Sequence, residues 1–168
     1  MSIKQRSDIK FSDHVSIGYF ARYGKHKKTV LQLAELAERS LPHFRKVLSL
    51  PKDVSIRIAG IRGHARGKYY NGDNVALIHD GLSRNLIDAL GVIAHELIHG
   101  EQYHTGRLTN AMVGRRWALA WDGTVVPHRH ANYEKYRALP WEAEAYARQN
   151  DITKRVSDMI DAEIVNGG

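Results

Sequence analysis

The sequence predicts an α+β fold in which helices near both ends of the chain and one in its middle enclose a small mixed or antiparallel sheet. Three observations lead there. Apolar residues recur at helical spacing in three long stretches, between Lys27 and Leu50, Ser83 and Tyr103, and Leu139 and Ile164. Val54 to Ile58, Lys68 to His79 and Trp117 to Val126 instead carry the β-rich, alternating patterns and turn residues of strands. The 168 residues suit one domain, 1–168, large enough to bury a core without staples.

Taken in order, residues 1–24 alternate only partly, through Phe11, Val15, Ile17, Tyr19 and Phe20 around Gly18, as a short strand or an irregular arm would. From Lys27 to Leu50, Val30, Leu33, Ala34, Leu36, Ala37, Leu41, Phe44, Val47 and Leu48 mark a helix with one buried face. Pro42 falls inside it, which predicts a kink or two helices meeting near Ser40, able to cap the second. Val54, Ile56 and Ile58 alternate with Ser55 and Arg57 as a half-buried strand. The segment 60–67, GIRGHARG, lacks the Lys-Ser/Thr ending and following helix of a phosphate-binding loop, so a mobile connection with His64 in solvent is expected. Lys68 to His79 reads as a hairpin turning at Asn71-Gly72.

Ser83 is placed to cap a helix whose apolar face is Leu86, Ile87, Leu90, Ile93, Ala94, Leu97 and Ile98. Gly106 and Asn110 then mark a loop or a short second helix. Trp117, Leu119 and Trp121 lead into Asp122-Gly123 and Thr124 to Val126, an aromatic-rich hairpin suited to a cleft wall or a small core of its own. Pro127 to His130 is a loop. The last helix begins at Pro140, whose missing N–H costs nothing in a first turn, and continues through Ile152, Val156, Met159, Ile160 and Ile164.

Composition narrows the chemistry. With no Cys, disulfides, thiolate metal sites and a Cys nucleophile are all excluded, and any metal must be held by His and carboxylates. The charged N-terminus has no apolar signal region and no run reaches the roughly 18 apolar residues of a membrane span, so a cytoplasmic protein with no membrane partner is expected. A net charge of +7 supports a competing expectation, a nucleic-acid-binding or structural protein presenting Arg62, Arg66, Lys68, Arg115, Arg116 and Arg129. These basic residues come in short, scattered groups, as a solvated surface also would.

The central helix carries the most specific signal, His95-Glu96-Leu97-Ile98-His99, an H-E-x-x-H spacing. Residues four apart share a helix face, so both imidazoles can turn to one ion. Two nitrogens so placed suit one tetrahedral Zn²⁺ per chain, which needs a third protein ligand if a water is to take the fourth position. Glu96 projects about 100° round the helix and is free to act as base toward that water. A helix packed against this one is the natural source of a third ligand, and Glu142 and Glu144 are both available there. Two residues apart, they point roughly 200° from each other, so only one can face the metal. His128 and His130 are less suited as further ligands, while Tyr133, Tyr136 and His130 are candidates to stabilise an oxyanion. The second arm of the first hairpin, 74–79, is either an ordinary interior strand or one that lies over the site with an edge open to an extended peptide.

His95-Glu96-Leu97-Ile98-His99 followed by Glu142-Ala143-Glu144-Ala145-Tyr146-Ala147 resembles the gluzincin-type zinc metallopeptidases, and is similar to small phage and bacterial metallopeptidase-domain proteins carrying HELxH and PWExEAYA elements. The resemblance spans mainly residues 84–149. It implies a minimal zincin-like domain, with a small sheet packed on the active-site helix and helices at both ends. It makes His95, His99 and Glu142 the zinc ligands, Glu142 in preference to Glu144, and Glu96 the catalytic base. Tyr146 stands where many gluzincins have an Asp that holds a ligand His, which leaves Asp122 or Asp88 to serve instead. The implied activity is hydrolysis of peptide bonds in a peptide or protein substrate.

Overall fold

The computed structural model describes residues 9–18, 23–126 and 132–166. The fold is mixed α+β. Strands β1 (Ile9–Lys10) and β2 (Val15–Ile17) precede helix α1 (Tyr23–Leu48), and β3 (Ser55–Ala59), β4 (Gly67–Tyr70) and β5 (Val75–His79) follow it. Helix α2 (Leu86–His104) leads to β6 (Leu108–Val113), β7 (Arg116–Trp121) and β8 (Thr124–Val126), and the chain closes with α3 (Tyr133–Arg137) and α4 (Pro140–Asn166).

The first five strands form one mixed sheet in the order β1-β2-β3-β5-β4. β2, β3 and β5 are parallel, and β1 and β4 run antiparallel at the two edges. In register, Val15, Ile56 and Ala76 form one row across the sheet, and Ile17, Ile58 and Ile78 the next. All six are buried. They meet Leu33, Ala37 and Phe44 of α1, Ile93 and Leu97 of α2, and Ile152 and Val156 of α4 in one core. Period two in the strands and period 3.6 in the helices thus converge on a single apolar layer.

The structure departs from the sequence reading at four places in this frame. Helix α1 runs through Pro42 without a break, and its only non-helical dihedrals are at His26. Pro42 lies on the exposed face, so the carbonyl one turn earlier that it cannot serve is open to water. Ser40 is buried and donates to Ala37 O at 3.2 Å instead of capping a second helix. The cap of α2 is Asn85, whose side chain accepts from the Asp88 N–H at 3.2 Å, because Asp80 to Arg84 form a 3₁₀ turn and Ser83 bonds to Thr29. The first hairpin turns through Asn71–Asp73 with Asn74 left-handed at φ 51°, rather than through Asn-Gly alone. Its second arm, β5, is interior; the edge strand beside α2 is the first arm, β4.

The second sheet is antiparallel, in the order β6-β7-β8. Asp122 and Gly123 both have positive φ, 46° and 79°, as a tight two-residue hairpin requires. β6 replaces the loop or short helix expected around Asn110 and turns into β7 through Gly114-Arg115, with Gly114 at φ 61°. Leu108, Leu139 and Trp141 make a small core here with Leu119, Trp121 and Tyr136, while Trp117 stays 77% exposed. Tyr19, Phe20 and Pro127 to His130 lie outside the described residues. Among the described residues, no helix is long and apolar enough to cross a membrane.

Candidate metal centre

His95, Glu96 and His99 fall on the stretch of α2 that packs against both α4 and the sheet, and all three are buried. Glu142 sits in the first turn of α4, where the free N–H groups of a helix favour a carboxylate, and is 3% exposed. The two helices bring three donor groups together. His95 Nε2 lies 3.2 Å from His99 Nε2 and 3.2 Å from Glu142 Oε2, and His99 Nε2 lies 3.4 Å from Glu142 Oε1.

These separations fit zinc. Ligand atoms about 2.0 to 2.1 Å from a tetrahedral centre stand about 3.3 to 3.4 Å apart. The hydrogen bonding behind the rings fits too. The buried Gln102 donates its Nε2 to Trp141 O at 3.0 Å, which turns its Oε1 to His99 Nδ1 at 2.8 Å. Gln149 Oε1 lies 2.9 Å from His95 Nδ1. Each amide oxygen therefore takes the Nδ1 proton of its ring, and in the neutral imidazoles both Nε2 lone pairs face each other and a carboxylate. His95, His99 and Glu142 together form a buried donor set that could hold a metal ion.

The electrostatics agree. In the protonated imidazoles each Nε2 instead donates: burial would lift the Glu142 carboxyl, but hydrogen bonds from His95 and His99, the charge of His99 and the Tyr136 hydroxyl then bring it down to about 2. Burial would lower His99, yet Glu142 and Glu96 raise it. The Glu96 carboxyl is raised by burial, against the opposing pull of His99 and His95.

Glu144 is placed elsewhere. Its carboxylate is held by Arg107 at 2.7 Å and Arg148 at 2.7 Å, on the side of α4 turned to β6. Asp88 and Asp122, expected as partners of the ligand imidazoles, are instead paired with Arg66 at 3.1 Å and Arg107 at 3.4 Å. The residues that do hold the rings are Gln102 and Gln149. Both had a sequence signal: Gln102 is three residues after His99, and Gln149 is two turns after Glu142 on the same face of α4.

Tyr136 Oη donates to Glu142 Oε1, and Tyr133 and Tyr146 share a hydroxyl contact at 3.3 Å. Tyr146 packs its ring 4.6 Å from that of His95, beneath the Arg137 guanidinium at 4.2 Å. His95, Glu96, Tyr136 and Tyr146 all open on a cleft of about 910 Å³ between α2 and α4, which the 64–67 segment borders. Ile87, grouped with the core face from its spacing, is 85% exposed on that cleft. His128 and His130 lie outside the described residues, as does Arg129. Of the other basic residues, Arg62, Arg66 and Lys68 lie around the start of β4, and Arg115 and Arg116 at the β6–β7 turn of the other sheet. Comparison with protein-family models, with curated proteins and with solved structures finds no match.

Proposed function

We propose that the protein is a zinc-dependent metallopeptidase of gluzincin type, hydrolysing peptide bonds in a peptide or protein substrate with Glu96 as general base. The observation that carries this reading is the convergence of His95, His99 and Glu142 donor atoms next to a buried Glu96. Zinc bound by these three residues supplies a Lewis acid, which polarises a carbonyl and brings the pKa of a water to about 7. Glu96, whose carboxyl burial raises, would take a proton from that water and return it to a leaving amine. Burial and Glu142 push the Tyr136 phenol up, so it stays protonated and keeps its hydrogen bond to the Glu142 carboxylate.

Two further features suit a peptide. The cleft is of a size for side chains, and β4 ends the sheet with its outer edge unpaired by any described strand. An extended chain can add to such an edge through main-chain hydrogen bonds. The test is cleavage of casein and of a peptide library by the parent and by Glu96→Gln. Glu96→Gln is expected to keep its zinc and its fold while losing about 10²-fold or more in kcat. Undiminished cleavage by the metal-loaded Glu96→Gln protein would remove Glu96 as the base, and cleavage of simple amides or esters but no peptides would move the activity to another hydrolase class.

A further inference from the structure

We infer that β4 positions Glu96: Gly67 leaves the space in which its carboxylate stands, and the Tyr69 ring, seated against Gly100, fixes the strand over the helix. This rests on the reading of Glu96 as the base and makes Gly67 and Tyr69 positioning residues for it.

The hydrogen-bond alternation of the hairpin comes first. The His79 N–H donates to Arg66 O at 2.9 Å, so in an antiparallel pair the backbone groups of Gly67 and Tyr69 turn away from β5 to the outer edge. The Tyr69 N–H reaches the Glu96 carboxylate from that edge. A Cβ on Gly67 would stand 2.6 Å from Glu96 Oε1 and 2.7 Å from its Cγ, closer than real side chains approach. Gly67 is not among the residues with positive φ. Space, and not backbone conformation, therefore requires glycine at this position.

A second glycine completes the contact from the other side. A Cβ on Gly100 would stand 2.8 Å from Cε2 and Cζ of Tyr69, whose ring lies in the notch that Gly100 leaves, stacked on Tyr103 at 6.2 Å. Strand and helix thus interlock. Glu96 of α2 fills the gap at Gly67 of β4, and Tyr69 of β4 fills the gap at Gly100, one turn further along α2 and next to His99. The height of the strand over the helix is set by these two fits, and the carboxylate is set with it. The opposite face of β4 carries Lys68 and Tyr70, which point away.

The contact and the activity are tested separately. Thermal midpoints are measured for the parent, Gly67→Ala, Glu96→Ala and the double variant, each with and without zinc. Gly67→Ala is expected to lower Tm by about 4 °C or more when Glu96 is present and by under about 1 °C when it is Ala, because the methyl then enters vacated space. In cleavage assays Gly67→Ala is expected to lose about 10²-fold in kcat with KM within about twofold and zinc retained, since a displacement near 1 Å is enough for that loss. Lys68→Ala serves as the control and changes neither quantity. An equal Tm cost in both backgrounds, or an unchanged kcat, overturns the inference. A parent that cleaves nothing removes the peptidase reading instead, and the Tm cycle still decides whether Gly67 and Glu96 share that space.

Discussion

Gln102 shows how much a single side chain settles at this site. It is fully buried, and its amide joins the His99 ring to the Trp141 carbonyl, one residue before Glu142. It therefore orients the His99 ring directly and ties the turn that presents Glu142. Gln102→Leu would leave the buried Nδ1–H of His99 without the amide oxygen it faces. Zinc affinity, measured by competition with a chelator, is expected to fall about 10- to 100-fold, whereas Asp122→Asn at the hairpin tip is expected to leave it unchanged. His95, Glu96 and His99 were legible in the sequence because local helix geometry alone brings them together. Glu142 was legible only jointly with Glu144, and the choice between them followed the family pattern. The structure gives it a physical reason: Arg107 and Arg148 occupy Glu144. Gln102 and Gln149 carry no comparable signature, because an amide oxygen accepts an N–H as a carboxylate does and glutamines are common on helix faces.

Among the elements, the helices were the most legible and the second sheet the least. The three long helices announce themselves by a long apolar period, and α4 begins at Pro140 as its first-turn chemistry requires, whereas the five-residue α3 has no such period. β6 is the opposite case. Leu108, Thr109 and Asn110 have no strong alternation, and the strand is defined by pairing with β7, a partner that local pattern does not reveal. The exchange of β4 for β5 at the sheet edge has the same origin, since order within a sheet depends on the parallel β3–β5 pairing. Pro42 misled in the other direction. A proline on an exposed helix face removes one solvent-side hydrogen bond, and the buried Ala37, Leu41 and Phe44 hold the helix through it. Pro42→Ala is accordingly expected to raise stability by about 1 to 2 kcal/mol in denaturant unfolding, with zinc content unchanged. A loss of stability would mean that the proline is structurally required.

At the scale of the whole molecule, the small sheet and the two site helices are joined by one chain of charges. Asp122, Arg107, Glu144, Arg148 and Glu101 alternate in sign from the β7–β8 turn across α4 to α2. Burial would raise the Glu144 carboxyl, but Arg107 and Arg148 hold it below the usual carboxylate range. A carboxyl with a depressed folded pKa contributes stability above its unfolded value, about 4.3, and loses that contribution as pH falls through the folded value. Glu144→Gln is therefore expected to cost about 1 kcal/mol at pH 7 and progressively less as pH falls through the folded value, read from unfolding across the acid range. A cost that does not shrink with falling pH would show that the carboxylate charge is not what joins these parts.

The same substitution site gives the sharpest comparison for the central claim. Zinc is measured by elemental analysis in the purified parent, Glu142→Ala and Glu144→Ala proteins after equilibration with a stoichiometric amount of the metal. One zinc per chain in the parent and in Glu144→Ala, with none in a folded Glu142→Ala, is the result expected from donors of His95, His99 and Glu142 that converge between α2 and α4. A parent that takes up no zinc, or a Glu142→Ala protein that binds it as the parent does, would contradict the account.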